Sequence, residues 1–182
     1  MELNNLSMRA HENAVKKGFW DGHKLTREHC LMLIITEIAE MVEADRHDRH
    51  ADIEAYKTAM YGTPESAMFP EIFEKYIKDT VEDECADIAI RLLDLSGAMR
   101  IDFDHVKRID YYRDFPHFSM TENAFALTKG LAKENISIIK RIAFAFQYLD
   151  DWSKAIGFNL DEHVRLKMKY NESRSIRHGK KY

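Results

Sequence analysis

The sequence predicts an all-α fold, and three observations carry that prediction. Only seven glycines and three prolines occur in 182 residues. Leu, Ile, Ala, Lys and Glu are abundant, and apolar residues recur every three or four positions, whereas alternating β-branched runs are scarce. Residues suited to helix N-caps, Thr26, Ser119 and Asn159 among them, stand just ahead of the periodic stretches.

In chain order, Leu6 to Lys17 reads as a short helix ended by Gly18. Phe19 and Trp20 follow in a turn with Asp21 and Gly22, and such a pair ordinarily packs back on the core; base stacking by Trp20 is the alternative. Thr26 caps a helix expected to reach Arg49. A crossover with a short helix at Asp52 to Met60 and a turn at Gly62, Thr63 and Pro64 leads to a long helix from Glu71 to Arg100, with Pro70 in its first turn. Asp102 is placed to cap a helix over 103–114, broken by Phe115 and Pro116. Ser119 and Glu122 form a capping box for a helix ending at Gly130. Lys133 to Ile156, closed by Gly157, and Leu160 to Tyr170, capped by Asn159, complete about seven helices in a single domain. The stretch from Leu92 resembles the one from Tyr148, suggesting a duplicated helix pair.

Two of these helices carry acid beside apolar residues. In IITEIAEMVEAD, Glu37, Glu40 and Glu43 recur every third position beside Leu31, Ile34, Ile38, Met41 and Val42. In VEDECADIAIRLLDLSGAM, Glu84 and Asp87 are three apart beside Val81, Cys85, Ile88, Leu92 and Leu95, with Asp94 two turns on and Asp83 read as solvated. Packed together, the two helices enclose a carboxylate cluster. Carboxylates about 5 Å apart at an effective dielectric near 20 repel by roughly 3 kcal/mol, which a divalent cation relieves; oxygen-only ligands suit Mg²⁺ or Mn²⁺. A solvated acidic helix face is the plainer alternative.

The formal charge of −4 suggests neither bulk nucleic-acid binding nor a basic membrane-surface protein. The start, MELNNLSMRAHENAV, has no apolar core of a signal peptide, and no apolar run approaches the roughly 20 residues of a spanning helix, so a cytoplasmic protein is expected. Cys30 and Cys85 lack metal-site spacing and read as small core residues.

Glu37-x-x-Glu40 followed by Glu84-x-x-Asp87 resembles the metal-binding signature of the MazG-like all-α nucleoside triphosphate pyrophosphohydrolases. Ala10 to Trp20, AHENAVKKGFW, resembles their N-terminal helix, and Lys167 to Tyr182, KMKYNESRSIRHGKKY, their nucleotide-binding tail. The resemblance implies a MazG-like bundle, a homodimer or higher even oligomer, and Mg²⁺-dependent hydrolysis of a nucleoside triphosphate to the monophosphate and pyrophosphate. Glu37, Glu40, Glu84 and Asp87 would hold the metal, with Glu37, Glu40 and Glu43 as catalytic candidates. Glu43 could instead pair with Arg46. Lys167, Asn171 and Arg174, at offsets of four and three, share one face of a helix and its exit, where they could meet a polyphosphate; with Trp20 they are the candidate substrate-binding residues. Lys180 and Lys181 read as a solvated end.

Two departures stand out. Thr36 occupies the place of a frequent family acid, and residues 115–157 form a helical segment absent from compact members. Other readings are a catalytically silent helical scaffold, or a different phosphohydrolase using His47, Asp48 and His50 with Asp87 as a distant ligand and His29 as the further histidine. A di-iron bundle lacks its Glu-x-x-His pairs.

Overall fold

The computed structural model describes residues 2–21, 25–62 and 65–176, with backbone alone at 65–67. Among them are eight α-helices and no strand: α1 (Leu3–Lys16), α2 (Arg27–Arg46), α3 (Ile53–Met60), α4 (Glu65–Tyr76), α5 (Val81–Ala98), α6 (Met120–Leu131), α7 (Ile138–Ile156) and α8 (Leu160–Ser173). No helix among the described residues is long and apolar enough to cross a membrane. The all-helical class therefore follows from the composition and period that predicted it.

α5 is the centre. It packs against α1, α2, α7 and α8, and Ile88, Ala89, Leu92 and Leu93 are wholly buried. The main core also takes Ile34 and Met41 from α2, Leu127 from α6, Tyr148 and Trp152 from α7 and Val164 from α8. A smaller apolar cluster joins α3 and α4 to the end of α8, where the Tyr170 ring stacks on Phe73 at 4.5 Å. The 115–157 segment thus adds two helices, of which α6 packs on α2 and α7 on α5 and α8.

Several sequence expectations need correction. α1 starts at Leu3 and α2 stops at Arg46, because Asp48 takes φ 52° and turns the chain. The predicted helix from Glu71 to Arg100 is two helices. Asp79 at φ 60° ends the first, and Thr80 starts the second by accepting the Asp83 N–H on its hydroxyl, so Thr80 to Asp83 is a capping signal hidden within a periodic stretch. Pro70 lies inside α4 rather than in a first turn.

Residues 103–114 form no α-helix. Asp102 caps a single 3₁₀ turn, Phe103–His105, and the chain then runs as a non-helical strap over 106–114. Gln147 on α7 holds the strap, accepting the Ile109 N–H at 2.9 Å and donating to the Ile109 carbonyl at 2.8 Å. Tertiary contacts override local propensity here. The resemblance between the Leu92 and Tyr148 stretches therefore marks no duplicated helix pair, since only the second folds as two helices.

Phe115–His117 is another 3₁₀ turn. The Ser119–Glu122 capping box is present, and α6 runs one residue past Gly130. α7 begins at Ile138, capped by Ser137, and closes at Gly157 with φ 94°. α8, capped by Asn159, continues to Ser173, which brings Asn171 into its last turn. Gly18 has the left-handed conformation expected of it (φ 77°). Gly22, Thr63, Pro64, Lys180 and Lys181 lie outside the described residues.

Gly97 permits the close crossing of α1 over α5. A Cβ there would lie 2.5 Å from the Ser7 carbonyl oxygen and 2.6 Å from His11 Cβ. Gly97→Ala is expected to force α1 outward and destabilise the protein by about 1–3 kcal/mol, a fall of several degrees in melting temperature; an unchanged melt would show that the crossing is not tight.

Candidate functional site

The acidic stretches meet where α2 crosses α5. Carboxylate oxygens of Glu37, Glu84 and Asp87 lie within 4.8 Å of one another, and Asp79, Asp83 and Glu84 form an overlapping group. Glu37 and Glu84 are 3% and 6% exposed, so this is no solvated face. Glu40 faces solvent and is not among the carboxylates that meet.

Two cations hold the cluster together. The Arg91 guanidinium pairs with Glu37. The Lys167 ammonium, buried at the α8 side, reaches Asp83 at 2.6 Å and Asp87 at 2.8 Å. Asp83 is 1% exposed, which overturns its reading as a solvated residue. Its Oδ2 also accepts the Asp79 N–H at 3.0 Å, so the same side chain stabilises the start of α5 and neutralises Lys167.

Glu37, Asp83, Glu84 and Asp87 outnumber Arg91 and Lys167, and burial acts on these acids more strongly than the excess charge does. Burial, and then the charge of Asp87, push Glu84 up to about 8. Burial pushes Asp83 up to about 6 despite Lys167, and raises Glu37 despite Arg91. For Lys167, burial opposes the charge, but Asp87 and Asp83 outweigh it and hold the ammonium above the ordinary lysine range. Glu84 Oε2 and Asp83 Oδ1 are buried without a hydrogen-bond partner. An oxygen-only set with an unpartnered buried carboxylate oxygen fits a hard divalent cation in its donor chemistry; Lys167 and Arg91 partly occupy the same electrostatic role.

The cluster opens into a cleft of about 900 Å³, counting the space open to solvent, of which about 100 Å³ admits water-sized groups. Glu37, Asp87, Arg91, Asp94, Asn171 and Arg174 line it, and α1 contributes Asn13. Asn171 has a buried side-chain oxygen without a partner. Lys17 donates to the carbonyls of Glu172 and Arg174, fixing the exit of α8 against the end of α1. At the far end, Asp94 accepts from the Trp20 indole at 3.0 Å and pairs with His11 Nδ1 at 2.8 Å. Burial raises the Asp94 carboxyl, and His11 works against that.

The predicted residues divide accordingly. Glu37, Asp87, Asn171 and Arg174 line one cleft, and Glu84 lies at its acidic end. Lys167 is turned into the acid cluster, and the Trp20 N–H is engaged by Asp94 while Phe19 lines the cleft. Glu43 is half-exposed and paired with Arg46 at 2.7 Å and His47 at 2.8 Å, which is its ion-pair alternative. Those bonds hold its carboxyl below the usual range, His47 contributing most. His47, Asp48 and His50 stand at the exposed end of α2. Cys85 is core, but half-buried Cys30 lines the cleft, its thiol pushed up to about 11 mainly by burial.

Sequence reasoning missed Arg91 and His11. Arg91, four residues beyond Asp87 and seven beyond Glu84, was visible on the same helical face. The His11–Asp94 pair, spanning 83 positions, left no local signal.

Comparison with family models, with curated proteins and with solved structures finds no match for this chain.

Between the ordinary carboxyl value of 4.5 and about 8, the folded protein keeps a proton on Glu84 that the unfolded chain has lost. Stability without metal is therefore expected to fall as pH rises through that window. Glu84→Gln should flatten the dependence and be the more stable protein at pH 8, by about 1–3 kcal/mol in denaturant titrations with chelator. Parallel pH profiles for the two proteins would refute this placement of the proton.

Proposed function

We propose that the chain is a metal-dependent nucleoside triphosphate pyrophosphohydrolase on a MazG-like helical bundle. The observation that carries this reading is the convergence of Glu37, Glu84 and Asp87 at one end of a cleft lined by Asn171 and Arg174. The order of the four sequence motifs supports it as well.

In this reading Glu37, Glu84 and Asp87 would hold Mg²⁺ or Mn²⁺, with Glu40 at the solvent side. When bound, the ion would supply charge neutralisation at the phosphates and acidify a water. Arg174 and the Asn171 amide bind the triphosphate from the α8 side. Water attacks the α-phosphorus, the bond from that phosphorus to the α,β-bridging oxygen breaks, and pyrophosphate leaves with the bridging oxygen. Lys167 holds Asp83 and Asp87 in place, acting as a positioning residue. Arg91 does the same for Glu37. Glu43 has no part in this arrangement.

A second reading is favoured by a specific observation: Lys167 and Arg91 already neutralise much of the cluster, as they would in a catalytically silent helical scaffold. Metal separates the two readings.

The purified chain with Mg²⁺ and a panel of ribo- and deoxynucleoside triphosphates is expected to yield monophosphate and pyrophosphate. Asp87→Asn and Glu37→Gln should each lower kcat by about a hundredfold or more, and Arg174→Ala should mainly raise KM. Release of orthophosphate alone, or no release from any nucleotide, would sink the proposal. Lys167→Ala should cost about 3–5 kcal/mol in chelator, since it strands the buried Asp83 carboxylate and unpairs half-buried Asp87, and Mg²⁺ should restore part of the loss. A melting temperature indifferent to Mg²⁺ in both the unmodified protein and Lys167→Ala would favour the scaffold.

A further inference from the structure

A second concavity, built away from the acidic helices, differs from the cleft in both size and charge. About 1090 Å³ of it admits water-sized groups, against about 100 Å³ in the cleft, and its walls are the 106–111 part of the strap, the end of α6, the following turn and the start of α7. The apolar surface comes from Val106, Ile109, Ala126, Ile136, Ile139 and Phe144. Around it stand Lys107, Arg108, Lys129, Lys133, Lys140 and Arg141, against one carboxylate, Asp110. The chain as a whole is acidic, at −4, so this concentration of cations is local.

Half of these six charges are uncommitted. Arg108 reaches Asp151 at 3.3 Å, and Arg141 donates to the Leu131 carbonyl at 2.6 Å. Lys129 lies over the Phe125 ring. Lys107, Lys133 and Lys140 are exposed and pair with no carboxylate among the described residues. Ile139, between the cations, is 42% exposed.

We propose that this groove binds an acidic amphipathic segment of a partner protein, with apolar side chains on the floor and Asp or Glu meeting the rim. The cations sit on all four walls of the concavity, so an occupant must present anionic groups at several points of its perimeter and apolar groups between them. A helical peptide with apolar residues three and four apart and carboxylates elsewhere does this. A fatty acid carries one carboxylate and satisfies one side. Nucleic acid offers phosphates, but its bases stack best on aromatic rings, whereas this floor is mainly aliphatic, with Val106, Ile109 and Ile139. A flat anionic membrane does not fill a concave site.

The test pans a displayed library of random peptides, about twelve residues or three helical turns long, on the full chain. Counter-selection uses Lys133→Glu/Lys140→Glu, with Lys107→Glu/Lys133→Glu as a second variant should the first melt abnormally. The expected pool is rich in Asp and Glu interleaved with Leu, Ile, Phe or Met at helical spacing. A synthetic peptide from that pool should bind with saturation, weaken at high salt and lose about tenfold or more in affinity on the variant. A pool without acidic and apolar bias, or peptides that bind the variant equally, overturns the proposal. So does tighter, variant-sensitive binding of oligothymidylate or phosphatidylserine vesicles, which would assign the groove to nucleic acid or membrane. Neither outcome bears on the pyrophosphohydrolase reading, whose residues are untouched.

Discussion

The structure depends on one electrostatic constraint: its central helix is both the most enclosed element and one of the most acidic. α5 has neighbours on four helices, yet carries Asp83, Glu84, Asp87 and Asp94. Isolated carboxylates in such a place would cost several kcal/mol each, so partners must come from elsewhere. α8 supplies Lys167 and α1 supplies His11, while α5 itself supplies Arg91 to Glu37 of α2. Much of the bundle's specificity of assembly can be described as the provision of these partners, since apolar packing alone would tolerate other arrangements of equally oily helix faces.

The same constraint explains why the candidate site sits where it does. A cluster neutralised incompletely retains raised acids and an oxygen without a donor, as at Glu84. Such a place is poised for cation binding in a way that a fully paired network is not. Its cost to stability also marks it as a feature that folding alone does not require.

Helix content and most caps were legible in the sequence because they depend on neighbours in the chain. Thr26, Ser119, Asn159 and Gly157 act through residues at most four positions away. The strap at 106–114 was not legible, because its form is set by Gln147, 38 positions from Ile109. In the site, spacing revealed which helix faces carry acid, and it placed Glu37, Glu84 and Asp87 correctly beside apolar stripes. It could not tell that Lys167 would turn inward to Asp83 or that Glu43 would be taken by Arg46 and His47. Those outcomes depend on which charges become neighbours once the helices pack.

Lys167 lies on the last described helix, whereas the carboxylates that it neutralises lie 84 and 80 positions earlier. During synthesis, α5 therefore emerges long before its counter-charge. A nascent chain that has not reached α8 cannot bury Asp83 beside Asp87 with their counter-charge in place, so the centre of the bundle is expected to stay loose until α8 has been made. A chain cut short before Leu160 would retain seven of the eight described helices and still lack a settled interior, which makes it a natural target for proteolytic clearance.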